Sequence, residues 1–377
     1  MTQAFIGFDI LDGHGRRPDM AIQVMSGQIT GLVARAKLSV EAQATATDLQ
    51  TSDGNRALIF PGFTDVQANG GGGLMLGDCQ NVHDLGMLAG AHRLLGTTHL
   101  LPTLISDTPA QIRRIGDLIA QVVTDPAQPI RGLHLEGPHL AVPGAHDPAL
   151  LRPMNDADIA LYLHLKGQMD HLMVTLAPEQ ASTAQVSQLA GAGITVSLGH
   201  TACDYAAALS YFEAGAQSAT HLFNAMSGLH HRTPGLALAA LEHAPFIGLI
   251  ADGHHVHPAM MRLARQIAGD RLYLITDAMA VAQTDATEFT LQSRRVLRQN
   301  GCLRLQDGTL AGADVDLFEA TTRMADAIAQ PVQAVLAMGF DTPYRLLTGR
   351  ARTISVGDRA DLTCLSAGQI RPWPGRP

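Results

Sequence analysis

The chain has 377 residues, 46% of them hydrophobic and 16% charged, with a formal net charge of -8. That length suits one large domain with an accessory module, and the apolar content suits a filled core, not a disordered chain. The acidic balance offers no basic footprint for nucleic acid, no apolar run approaches a bilayer span, and MTQAFIGFDILDGHG lacks the regions of a secretory signal.

Residues 1–57 open with short alternating strands, and AIQVMSGQITGLV reads as a hairpin turning at Ser26-Gly27. His14, in the turn-like Asp-Gly-His-Gly, is expected to be exposed. Residues 350–377 return to the same style in TISVGDRADLTCLSAG, so the two termini are expected to build one small β-sandwich domain. In residues 58–349 strands alternate with helices. Strands are read at ALIFPGFTDV, THLLPTL, IRGLHLEG, HLMVTLAP, GITVSLGH, AQSATHLF, FIGLIADG and RLYLITDA. Helical spacing marks VHDLGMLAGAHRLLG, PAQIRRIGDLIAQVV, DADIALYLHLKG, ASTAQVSQLAGAG, DYAAALSYFEAG, PGLALAALEH and PAMMRLARQIAG. About eight such alternations predict an α/β fold, a closed (β/α)8 barrel of the TIM type, usually ~250 residues. A doubly wound open sheet is the alternative, disfavoured because no Gly-x-Gly-x-x-Gly turn follows the first strand. Four cysteines, Cys79, Cys203, Cys302 and Cys364, stand far apart, which suits reduced thiols in a cytoplasm.

Ionisable and polar residues collect where those strands end: Asp65 with Gln67 and Asn69, then His134 and Glu136, His200, His221, Asp252 with His254 and His255, and Asp277. Barrels of this type hold their active sites on that face. Glu136, His200 and His221 form a set of two imidazoles and one carboxylate, suited to a metal that keeps a position for water. The plainer reading is a salt-bridged carboxylate beside hydrogen-bonded histidines at a loop edge. Asp277 could take a proton from the attacking water and pass it to a leaving amine, or simply cap the following segment. His146, in VPGAHDP, could reach a developing oxyanion, or be an exposed loop histidine. In ADGHHVHP three histidines crowd one strand end. Arg232, flanked by Thr-Pro-Gly, suits a phosphate or carboxylate, though alone it would read as a surface arginine.

PGFTDVQANGGGG, GLHLEGPHL, VSLGHT, ATHLFNAM, RTPG, ADGHHVHP, LITDAMA and GTLAGA occur in this order, and GDRADL follows. Together they make a set that resembles the N-acetylglucosamine-6-phosphate deacetylases of the amidohydrolase superfamily over nearly the whole chain. The resemblance implies a metal-dependent deacetylase that releases acetate and leaves glucosamine 6-phosphate. It implies metal ligation by Glu136, His200 and His221, a general base and acid in Asp277, and a carbonyl-polarising His146. It implies sugar-phosphate contacts from Asn224, Ala225, Arg232 and His255, and substrate-lining backbone at Ala145, Leu310, Ala311 and Gly312. The arginine would reach the neighbouring subunit's site, which implies a homodimer.

Several departures bear on this. Gln67 and Asn69 replace the His-x-His of two-metal relatives, so one divalent metal per subunit is expected, zinc first and iron, manganese or cobalt as alternatives. The loop before His146 is short, His254 stands where an apolar residue is usual, and His230-His231 precede Arg232. LAGA moves the expected cap of the next helix to Asp314 or Asp316. The rival expectations are the same reaction on N-acetylgalactosamine 6-phosphate, a silent sugar-phosphate sensor, and a dihydroorotase-like ring amidohydrolase.

Overall fold

Pro61 and Gly62 cut the run ALIFPGFTDV in two. Pro61 has no N–H to give a ladder, and Gly62 turns at φ +83° with no room for a side chain, since a Cβ would lie 2.4 Å from Thr98 Cγ2. Ala57–Phe60 therefore pairs with the terminal strands Gln3–Asp12 and Thr363–Ser366, while Phe63–Ala68 starts the barrel. One predicted strand is thus two, in different sheets. The computed structural model describes residues 2–51 and 54–373.

The barrel strands, numbered in chain order, are β1 (Phe63–Ala68), β2 (Thr97–Ile105), β3 (Gly132–Glu136), β4 (His171–Leu176), β5 (Thr195–Leu198), β6 (Ser218–Ala219), β7 (Phe246–Ile250) and β8 (Leu272–Ile275). Each pairs in parallel with the next. β8 returns to β1 through short contacts just beyond its end. Asp277 N–H donates to Gln67 O at 2.9 Å, and Asn69 N–H to Ala278 O at 2.8 Å. The result is a nearly closed TIM-type barrel. Strand order never reverses, so the doubly wound alternative is out.

All the predicted barrel helices form, from Val82–Leu94 to Pro258–Ala268. Their starts are written in the sequence: Asn155 with Asp158 and Ser182 with Gln185 make reciprocal capping boxes, and Pro109 and Pro258 open two helices. Asp316 caps Leu317–Ala327 by accepting from Glu319 N–H, one of the two positions expected. Helix faces and strand interiors share one core, in which Val66, Leu133, Val174 and Val196 are fully or nearly fully buried.

The termini form one seven-stranded sheet. The hairpin of Gly15–Met25 with Gln28–Ala34 turns at Ser26 (φ 51°) and Gly27 (φ 75°), the pair of positive angles that matches strand twist. Trp373 packs on Phe5 and Phe8 with ring centroids 4.6 and 5.8 Å away, in a core distinct from the barrel's. His14 is exposed, as expected.

The sequence did not announce a four-stranded antiparallel sheet between β8 and Leu317–Ala327. It comprises Glu288–Leu291, Arg294–Gln299, Cys302–Leu305 and Leu310–Ala313. Its last strand lies against the barrel mouth, where Ala313 N–H donates to Asp277 O at 3.0 Å. No helix among the described residues is long and apolar enough to cross a membrane.

Candidate active site

Four segments deliver their ionisable side chains to one end of the barrel. Glu136 is the last residue of β3, His200 follows β5 by two residues, and His221 and Asp277 lie two residues beyond β6 and β8. His200, His221 and Asp277 hold φ of 50°, 32° and 50°, a left-handed backbone that costs such residues roughly 1–3 kcal/mol each. Each strand therefore bends sharply as it ends, and its side chain turns inward. Gly144 allows the loop after β3 to lie on His200, since even a Cβ there would be 3.2 Å from the ring.

The convergence is tight. Nε2 of His221 and Nε2 of His200 stand 3.0 Å apart, and they lie 3.1 and 3.3 Å from the same Glu136 Oε1. His200 Nδ1 lies 2.7 Å from the carbonyl of Val142, which can only accept, so Nδ1 carries the proton and Nε2 presents a lone pair. Burial alone would raise the Glu136 carboxyl, but contacts with His146, His200 and His221 hold it well below its usual range. Burial alone would lower His221, but Glu136 draws it up. Two imidazole nitrogens, that of His200 unprotonated, and one carboxylate oxygen converge on one point, a donor set that fits a borderline divalent cation.

His146 joins from the other side, its ring centroid 4.6 Å from that of His200 and its Nε2 3.7 Å from Glu136 Oε2. Glu136, His146 and His200 also offer ligand atoms within 4.8 Å of one another, so proximity alone permits a second ligand set. Burial pushes the His146 imidazole down to about 4, so it is neutral near pH 7.

Asp277 is held up at about 6, first by burial and then by the Glu136 charge. Its Oδ1 accepts from Asn69 Nδ2 at 2.7 Å and from Gln67 Nε2 at 3.2 Å, and Gln67 Nε2 also lies 3.0 Å from Glu136 Oε1. The residues that stand for a missing His-x-His thus present amide donors to both carboxylates.

Around these groups lies a cavity of about 350 Å³. Ala145, Asn224, Ala225, His255, Leu310 and Gly312 line it. Ala311 faces away into the core of the inserted sheet, as strand alternation requires. Arg232 is exposed and outside the cavity of its own chain, as are His230 and His231. His255 Nδ1 meets Asp252 Oδ2 at 2.7 Å, leaving Nε2 for the cavity; of the three crowded histidines only His255 lines it. Two residues grouped with the strand ends are structural. His134 points into the barrel interior, bonded to Val66 O at 2.9 Å and Thr175 Oγ1 at 2.8 Å, and Asp65 accepts from Thr276 Oγ1 at 2.6 Å. Residues missed by sequence reasoning include Arg304 and Thr309 on the cavity wall, and Ser106, which touches His146. Arg304 and Thr309 belong to the unforeseen sheet, and a lone serine after a strand carries no signal.

An eight-stranded barrel with carboxylate and imidazole groups at its carboxyl end defines an amidohydrolase-type hydrolase. No family model matches the chain. An N-acetylgalactosamine-6-phosphate deacetylase of Shewanella sp. (strain ANA-3) is 35% identical over 93% of this chain and 88% of its own length. An N-acetylglucosamine-6-phosphate deacetylase of Danio rerio is 34% identical over 83% of this chain and 81% of its own. The crystal structure of the Pasteurella multocida N-acetylglucosamine-6-phosphate deacetylase superposes with a TM-score of 0.89 at 28% identity, covering 98% of this chain and 96% of that one. An aspartate-to-alanine variant of the Mycobacterium smegmatis enzyme, in complex with N-acetylglucosamine 6-phosphate, superposes at 0.86 with 29% identity, over 97% and 96%. The chain belongs to the N-acetylglucosamine-6-phosphate deacetylase family of the amidohydrolase superfamily.

Proposed function

We propose that this chain hydrolyses the acetamide of N-acetylglucosamine 6-phosphate to acetate and glucosamine 6-phosphate. The observation that carries this reading is the meeting of Glu136, His200, His221 and Asp277 in one buried cavity of a chain in this family. Glu136 Oε1, His200 Nε2 and His221 Nε2 would hold one divalent cation, zinc first, with iron, manganese or cobalt also suited. Such a cation acidifies water toward neutrality and polarises a carbonyl oxygen. Gln67 and Asn69 stand where two-metal relatives carry histidines, and their amide nitrogens face Glu136 and Asp277, which supports one ion per subunit.

The chain's own groups do the rest. Asp277, its Oδ1 fixed by two amides, receives the proton of the attacking water and returns it to the leaving amine. His146 gives a hydrogen bond to the oxygen on which negative charge develops. Asn224, Ala225 and His255 hold the sugar phosphate, with Ala145, Leu310 and Gly312 shaping the wall, whereas Ala311 packs behind it in the inserted sheet. Arg232, exposed on its own chain, reaches the neighbouring site in a homodimer. The hydrolase barrel would begin after the Pro61-Gly62 break, not at 58, and run to 349, because Leu58–Phe60 pair in the terminal sheet; residues 1–60 with 350–377 would act as a small β domain built on that one sheet. Four free buried cysteines support a cytoplasmic setting.

The galactosamine epimer is the second reading, favoured by the relative that is 35% identical over 93% of the chain. Comparing kcat/KM on both N-acetylated sugars, each with and without the 6-phosphate, tests the proposal. A clear preference for the phosphorylated gluco sugar supports it. Preference for the galacto sugar replaces it, and binding without acetate release means a sensor.

A further inference from the structure

The geometry points to Ser106 as the positioning residue that holds His146 in its Nε2–H tautomer, making His146 a hydrogen-bond donor and not a metal ligand. This rests on the deacetylase reading and gives its oxyanion donor a physical cause.

The backbone N–H of Ser106 lies 3.2 Å from His146 Nδ1, and its Oγ 2.8 Å from the same atom. A backbone N–H can only donate. The ring nitrogen it faces must accept, so in the neutral imidazole the proton sits on Nε2. His200 shows the reverse: its Nδ1 faces the Val142 carbonyl at 2.7 Å, and its Nε2 is bare. Two histidines with ring centroids 4.6 Å apart therefore carry opposite tautomers. One can ligate, and the other presents N–H. This decides between the two ligand sets that proximity permits, in favour of Glu136, His200 and His221.

Ser106 is itself fixed. It is 1% exposed, and a Cβ on Gly137 would come 2.2 Å from its hydroxyl, so Oγ has little freedom. The inserted sheet grips both partners. Gln292 Nε2 donates to Ser106 O at 3.0 Å, and the Arg294 guanidinium donates to Ala145 O, beside His146. That sheet, invisible to the periodicity of the sequence, thus keeps the donor aimed at the cavity.

The test is nitrogen NMR of the metal-loaded full chain carrying ¹⁵N-histidine, with His146 assigned through His146→Gln. The expected result is an unprotonated Nδ1 and a protonated Nε2 for His146. A protonated Nδ1, or shifts showing Nε2 bound to metal, would overturn the inference without needing any Ser106 variant. In Ser106→Ala the remaining N–H keeps part of the bias, so the second tautomer appears and kcat falls ~10-fold, with KM and metal content unchanged within about twofold. Lost metal, or unchanged kcat and ring shifts, would count against the assignment. If the unaltered protein releases no acetate, the function reading fails, and the ring shifts still decide the tautomer.

Discussion

Nε2 of His200 and Nε2 of His221 lie 3.0 Å apart, and both stand within 3.3 Å of one oxygen of Glu136. Three donor atoms gathered this closely suit a single shared cation. Replacing His221 by alanine is expected to lower the metal content from about one per chain to a trace. Even outer partners of such sites cost ~10–100-fold on mutation, so turnover should fall by more than about 100-fold. Elemental analysis after gel filtration, beside the rate, checks this; a variant that keeps its metal points to ligation by His146.

Asp277→Asn keeps the shape and removes the proton carrier, with an expected loss of ~10²–10⁴-fold in kcat. Asp277 must be ionised to accept a proton, and burial with the Glu136 charge holds it at about 6. In the unaltered enzyme kcat/KM should therefore fall about tenfold per unit as pH drops below that value, or below a lower one once a cation adjoins it. An acid limb that persists in Asp277→Asn belongs to another group.

Asp65 offers a test of stability. Burial raises it from 3.8 to about 7, despite bonds from Thr276 and Gln67. A carboxyl raised in the fold contributes stability that is complete below pH 3.8 and is lost as pH rises through about 7, because only the unfolded chain ionises freely in that window. The loss is at most roughly 4 kcal/mol. Asp65→Asn should flatten the pH dependence of the urea midpoint between about pH 4 and 7, leaving a smaller slope of the same sign from Asp277. An unchanged slope would mean Asp65 is ionised in the fold.

Gly312 turns at φ +69°, and a Cβ there would lie 2.5 Å from Met279 Cγ and 2.7 Å from Asp277 O. Gly312→Ala is expected to cost about 2 kcal/mol and to reduce kcat by shifting the Asp277 backbone. Chemical denaturation and steady-state rates would show it; a variant with unchanged stability and rate would mean that the turn relaxes freely.

Much of the barrel and the central groups was legible because the physics was local. Val196–His200 is an apolar run broken by Gly199, and the caps at Asn155, Ser182 and Asp316 write helix starts directly. What was hidden depends on long-range contact. The Pro61-Gly62 break was readable but passed over, because apolar residues continue on both sides. The inserted sheet turns at Gln292 and Asn300 with φ of 56° and 53°; its strands mix arginine with leucine, so no clean alternation marks them. Gln67 and Asn69 were read for the ligands they replace, whereas their amides are what fix Asp277. His134 shows the converse error: a histidine beside a functional glutamate is filled and satisfied within the barrel.

The most direct test is acetate release from N-acetylglucosamine 6-phosphate by the purified chain, before and after chelation and again after one equivalent of zinc is restored. Acetate formed with an equal amount of free amine, abolished by chelation and recovered with zinc, is the expected result. Undiminished release from metal-free protein, or no release from any N-acetylated sugar phosphate by the loaded one, would contradict it.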